Sequence, residues 1–161
     1  MPVTGKPQLE IAVHHPPTGL RGFLVIQNEG CGTALGGLRH APSLSPAEVR
    51  RLARTMAQKL ACYDLPYGGA TGGIVAHPKI PMERAVRIFL GAVAPYLQTR
   101  WVAGEDLGTS WDAVVSAYGE LQLDPVEVAR RCAGIADAPP LPQFSGVTTA
   151  IYGEVTGLGV A

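Results

Sequence analysis

Apolar and polar positions alternate over residues 8–15 (QLEIAVHH), and strand-forming residues dominate 21–28 (RGFLVIQN), with the turn-forming HPPTG between them. That pattern predicts two strands joined as a hairpin. The period then lengthens. In SPAEVRRLARTMAQKLACYD, Ser45 suits the N-cap, Pro46 the first helical position and Glu48 the capping-box position. Spaced at about 100° per residue, Val49, Leu52, Met56, Leu60 and Tyr63 form one apolar stripe, opposite Arg50, Arg51, Arg54 and Gln58. Lys59 breaks this segregation, because it projects beside Leu52 at the edge of the stripe. A lone ammonium turned coreward costs free energy unless it meets an anion or snorkels past its neighbours to water.

Next comes LPYGGATGGIVAHP, residues 65–78, in which four glycines bracket Thr71. It reads as a glycine loop that lets backbone approach something closely, followed by a strand in GIVAHP. A helix is predicted from about Pro81 (PMERAVRIFLGAVAPYL), then a short strand in RWVAG. Two more helices follow, GTSWDAVVSAYGEL and the shorter DPVEVARRCAG. DAPPLPQFSG is too rich in proline to be regular, and VTTAIYGEVTGLGVA starts with helical character. Strands alternating with helices predict an α/β domain over residues 1–161, an open mixed or mostly parallel sheet with helices packed on it.

Composition narrows the function. The chain is 47% hydrophobic and 16% charged, which fits one globular domain. Lys+Arg and Asp+Glu balance at 13 each, so no field steers a polyanion and no nucleic-acid partner is expected. The N-terminus lacks a signal-peptide pattern, and no apolar run approaches a membrane span. Cys31, Cys62 and Cys132 form no CxxC, which predicts a reducing cytoplasm and no zinc site, with Cys62 packed in the interior. His14 and His15 close the first strand and would need further partners to hold a metal. GCGTALGG (30–37) and GLGVA (157–161) each resemble part of a dinucleotide fingerprint, but neither sits between a strand and a helix. GGATGG lacks the lysine of a P-loop.

Four stretches then occur in one order: GTALGGLRHAPSLS, the helix bearing Lys59, DLPYGGATGG and VAGEDLGTS, with a weaker echo in SGVTTAIYG. Over roughly residues 30 to 110 this combination resembles the N-terminal, substrate-binding domain of the glutamate/leucine/phenylalanine/valine dehydrogenases. GGLRHAPSLS and DLPYGGATGG look most like the glutamate branch, GTALGG and GEDLGTS more like the leucine branch. The resemblance implies that Lys59 binds the substrate carboxylate and that Asp106 assists proton transfer at the amino group. It further implies that Gly36, Gly37, Gly68 and Gly69 form the backbone wall, and that Thr148 or Thr149 contacts substrate.

One position departs from the family. Its catalytic lysine stands in the middle of GG-x-K-GG, and here that position is Thr71. Oxidative deamination needs a cation with a tunable proton at that point; a threonine hydroxyl can hydrogen-bond but brings no charge. Lys79 lies past a strand and is a poor stand-in. The nicotinamide domain of the family would follow the last segment, where this sequence stops, so NAD(P) is expected only if a partner chain supplies that domain. The resemblance therefore predicts a non-catalytic binder of an amino acid or 2-oxo acid. It would assemble as a homo-oligomer, at least a dimer, or with a full-length amino-acid dehydrogenase. Residues 1–29 would make the subunit contacts, and 147–161 would be the remnant of the lead into the nucleotide domain. Two further readings stand beside it: an enzyme subunit whose nucleotide domain is a separate chain, and a structural oligomerisation module with no ligand.

Overall fold

The computed structural model describes residues 5–30 and 32–132. Thr148, Thr149 and the segments DAPPLPQFSG and VTTAIYGEVTGLGVA lie outside the described residues.

The hairpin forms as the alternation requires. β1 (Leu9–His15) pairs antiparallel with β2 (Leu20–Ile26), Leu9 opposite Ile26 and His15 opposite Leu20. His15 is used locally, its Nδ1 lying 2.9 Å from Thr18 Oγ1 in the turn. A strand that the pattern did not predict follows: β3 (Ala34–Ala41), formed by ALGGLRHA. Its apolar alternation, Ala34, Gly36 and Leu38, is hidden because a glycine replaces the middle residue. The glycine-rich run is a second correction. It is no loop but β4 (Gly68–Val75), the middle strand of the sheet. After it come β5 (Trp101–Glu105) and the sheet order β1-β2-β4-β3-β5. β2 and β4 run antiparallel, whereas β3 is parallel to both β4 and β5, so the sheet is mixed and open.

Helices cover both faces. α1 (Pro46–Cys62) lies on one side; α2 (Met82–Ala92), α3 (Ala94–Thr99) and α4 (Trp111–Glu120) pack on the other, and α5 (Pro125–Cys132) follows α4. The single helix expected from Pro81 is split at Val93, because Pro95 has no N–H to continue the ladder and sits instead in the first turn of α3. Leu24, Ile74, Phe89, Leu97, Trp101 and Tyr118 anchor the larger core between the sheet and α2–α4.

Edge strand β5 leaves one amide without a strand partner, and the Tyr118 hydroxyl accepts it, at 2.8 Å from Ala103 N. Burial pushes the Tyr118 phenol up to about 12. Tyr118→Phe should therefore cost about 1–3 kcal/mol in a urea melt, since it orphans a buried donor. A phenol whose folded pKa is raised stays protonated in the native state while the unfolded chain ionises. Its contribution is thus intact below pH 10 and is lost as the pH rises toward 12.

Candidate functional site

The site begins with the closeness of α1 to the sheet. Ser45 caps the helix, its Oγ accepting from Glu48 N at 3.2 Å. The buried face is Val49, Ala53, Ala57 and Leu60, which keeps Val49 and Leu60 of the predicted stripe but puts alanines in place of its other members. Leu52 and Met56 are only half-buried, and Tyr63 is 70% exposed. The physical reason is steric. β4 presents glycines upward, so alanines can seat the helix backbone almost on the strand. A Cβ on Gly69 would run into the backbone of Ala57, and one on Gly73 into Leu44 and Val49. The two contacts agree in scale: eight helical residues rise about 12 Å and four strand residues about 13 Å. α1 thus runs antiparallel along β4, with Ala53 at the level of Thr71.

α1 covers β2 and β4 but leaves the neighbouring strip of β3 and β5 half-open. Leu35, Gly37, Arg39, Val102 and Gly104 are all of intermediate exposure. Across this strip small residues line up. Gly37 is opposite Gly104, while Thr71, in the part that α1 covers, is opposite the buried Val25 on β2. The register of Leu35 with Gly69 and Leu38 with Gly72 sets Gly37 beside Thr71. A Cβ on Gly104 would touch nothing within 4 Å. The result is a trough with a glycine floor, open to the outside, with α1 as one wall. Thr71 lies at the foot of that wall. It is 3% exposed, and its hydroxyl donates to Ala70 O at 2.8 Å.

One end of the trough is charged. Arg39 projects from β3 and grips Asp106 with two hydrogen bonds, Nε to Oδ2 at 3.1 Å and Nη2 to Oδ1 at 3.3 Å. Its Nη1 also lies 3.6 Å from Glu48 Oε1 on α1. A Cβ on Gly37 would come within 2.7 Å of Asp106 Cβ, so only glycine lets the carboxylate sit so near the floor. Leu107 N donates to Asp106 Oδ1 at 2.8 Å. The Thr109 hydroxyl lies 2.7 Å from Leu38 O and accepts from Asp106 N at 3.0 Å, pinning the turn after β5 to β3. Gly108 passes so close to His40 O, at φ +82°, that a side chain could not be placed there.

His40, next to Arg39, is pulled below 6.5 by burial, partly offset by its hydrogen bond to the Gly108 backbone, and its Nε2 is buried without a partner. The unfolded chain binds this proton more readily than the native one. Stability is therefore full above pH 6.5 and falls as the pH drops below it. Thermal melts of wild type and His40→Gln between about pH 7 and pH 5 should show a flatter acid limb in the variant.

Lys59 is exposed and makes no ion pair among the described residues. It is not turned coreward, because the buried face is centred on Ala53 and Ala57, about a quarter-turn or more away. It lies on the flank that faces β3. Glu48, which reaches Arg39, is eleven residues earlier, close to three whole turns. From Ala57 over Gly69, Lys59 sits about 3 Å further down the axis, and its Cα–Cβ bond leans back toward the level of Thr71.

Thr71, Gly37 and Asp106 are therefore brought together, and helical spacing puts Lys59 on the same flank of α1 as Glu48, toward the other end of the trough. Gly36, Gly68 and Gly69 are not part of its surface. Gly36 and Gly68 face the other side of the sheet, where a Cβ would meet the Ala70 and Asn28 carbonyls, and Gly69 is sealed beneath α1. Cys62 is exposed at the outer end of α1, not packed inside. Arg39 is the site residue that the sequence reading passed over. The signal was present, since a guanidinium two residues after paired glycines, in a strand that His40 aside is apolar, demands an acidic partner.

Of the glycine pattern GCGTALGG, the second half, ALGG, opens strand β3 and does not lead into a helix. Among the described residues no group of three or more His, Cys, Asp or Glu could hold a metal ion, and no helix is long and apolar enough to cross a membrane.

Comparison with known proteins places this geometry. The family model of the Glu/Leu/Phe/Val dehydrogenase dimerisation domain matches residues 7–122. The phenylalanine dehydrogenase of Caldalkalibacillus thermarum (strain TA2.A1) is 32% identical over 147 residues, 89% of this chain and 37% of that protein. That of Bacillus thermotolerans is 33% identical over 109 residues, 65% of this chain and 28% of that protein. Among solved structures, L-tryptophan dehydrogenase from Nostoc punctiforme superposes with a TM-score of 0.64 at 23% identity, covering 72% of this chain and 36% of that one. The hetero-hexameric glutamate dehydrogenase from Thermus thermophilus, in its Leu-bound form, gives 0.62 at 28% identity, covering 72% and 32%. The chain thus spans about 28% to 37% of the length of these relatives.

Proposed function

Because the chain belongs to the Glu/Leu/Phe/Val dehydrogenase family, through that family's dimerisation domain, we propose that it is a non-catalytic binding and assembly subunit. It takes an amino acid or 2-oxo acid into the trough between α1 and β3–β5, with Lys59 holding the carboxylate. The observation that carries this reading is Thr71. A neutral hydroxyl, already bonded to Ala70 O, stands where the resemblance puts a reacting lysine. It offers no cation to stabilise developing charge on oxygen and no proton that moves near neutral pH.

Assembly is favoured by the edge of the sheet. Along β1, Leu9, Ile11 and Val13 turn toward the core, and its outer backbone edge has no strand partner among the described residues. An unpaired edge invites pairing with a second copy or with a longer dehydrogenase. That the Thermus thermophilus relative is a hetero-hexamer makes unlike partners a natural option. Asp106, present beside Gly37, favours a second reading, in which a partner chain supplies both the nucleotide domain and the missing base.

The test is calorimetry of the purified 161-residue protein with glutamate, leucine, phenylalanine and their 2-oxo acids, beside an assay for NAD(P) reduction. Binding without turnover is the expected outcome. Steady reduction of NAD(P) by the isolated chain would overturn the non-catalytic reading. Absence of heat with every ligand would leave only the assembly role.

A further inference from the structure

A zwitterion needs two opposite charges from its site, and the described trough has only one to spare. We propose that the site selects a 2-oxo acid over the amino acid with the same side chain, and that Arg39 is the residue that sets this preference. The proposal rests on the ligand-binding reading above and names the substrate class within it.

The accounting is local. Lys59 has no ion pair among the described residues, so a ligand carboxylate meets an uncompensated cation. An α-ammonium would need an anion of its own. Asp106 is the carboxylate at the floor, and its oxygens are engaged: Oδ2 by Arg39 Nε, Oδ1 by Arg39 Nη2 and Leu107 N. Glu48, the other carboxylate on this flank, lies against the same guanidinium. Thr71 offers only a neutral hydroxyl, which does not offset a full positive charge.

Donors, by contrast, are in surplus. A guanidinium carries five N–H groups; the two bonds to Asp106 occupy two and the Nη1 contact with Glu48 draws on a third, so two remain. An α-carbon bearing oxygen therefore finds hydrogen bonds where an α-carbon bearing ammonium finds like charge. With the lysine position filled by Thr71, no competing cation draws Asp106 away from Arg39.

The experiment compares three ligands of one side chain by titration calorimetry: leucine, 4-methyl-2-oxopentanoate and the L-2-hydroxy acid. The wild-type protein is expected to bind the oxo acid about tenfold or more tighter than leucine, with the hydroxy acid close to the oxo acid. The hydroxy acid shares the tetrahedral geometry of leucine but not its charge, so its grouping with leucine would show that shape is read and overturn the proposal. Leucine binding as tightly as the oxo acid would overturn it too. Arg39→Gln frees Asp106 and should collapse the ratio toward one, whereas Arg39→Lys keeps a cation beside Asp106 and should retain it. General damage to the fold weakens all three ligands alike and leaves the ratio where it was. A folded Arg39→Gln protein with the wild-type ratio would therefore exclude Arg39 as the determinant. If none of the three ligands binds, nor any other pair tested, the ligand-binding reading falls and takes this one with it. Binding with the wrong order defeats the selectivity alone.

Discussion

Gly36→Ala is expected to destabilise the domain by about 4 kcal/mol or more, a large part of the roughly 5–15 kcal/mol that a domain of this size has. A methyl group there would be driven into the Ala70 carbonyl on the neighbouring strand. The obstacle is backbone, which cannot rotate aside as a side chain could. Relief would require pulling β3 from β4, and with it Trp101, whose Nε1 donates to Gly36 O at 3.2 Å. Gly104→Ala is the matched control. Nothing lies within 4 Å of the added carbon, so its melt should stay within about 0.5 kcal/mol of wild type. Urea denaturation of the two variants reads the contrast directly. Similar midpoints would mean that the sheet is looser around β4 than the geometry requires.

The second large effect is on binding. Lys59→Ala should weaken the preferred acid by about 10- to 100-fold, the range for losing a charge-assisted hydrogen bond to a carboxylate. Stability should hardly move, because the side chain is exposed and supports no ion pair among the described residues. Lys79→Ala is the control: its ammonium follows β4 in the turn before α2 and should leave the affinity alone. Calorimetry decides it. Unchanged affinity in Lys59→Ala would remove Lys59 from the site while leaving the trough to be explained by Arg39 alone.

How much of this was legible in the sequence varies by residue. The hairpin, the cap at Ser45, the strand at Trp101 and an α/β domain with an open sheet followed from period and punctuation, whereas the break at Val93 and the choice of a mixed over a mostly parallel sheet did not. β3 and β4 did not, because a glycine contributes no hydrophobic signal, and what calls for glycine at 36, 69 and 73 is a neighbour distant in sequence. Tertiary packing overrode local pattern here. The same cause displaced the buried face of α1. Leucine and methionine look more coreward than alanine until the floor beneath them proves to be glycine. Thr71 and Asp106 were found by motif, but the pairing of Asp106 with Arg39 bridges 67 residues and needed the sheet to become visible.

The contact between α1 and β4 has a consequence for anyone seeking to retune the binder. Where alanine lies on glycine, only a second glycine is smaller, at about 1 kcal/mol in a helix interior, and there is no slack to take up a larger residue, so the spacing of that wall is effectively fixed. Ligand preference is then better adjusted from the rim, at Leu52 and Met56, which are half-buried and by helical spacing fall on the Glu48 side of the alanine face of α1. Those two positions are the natural targets for a library intended to change the accepted side chain without eroding the fold.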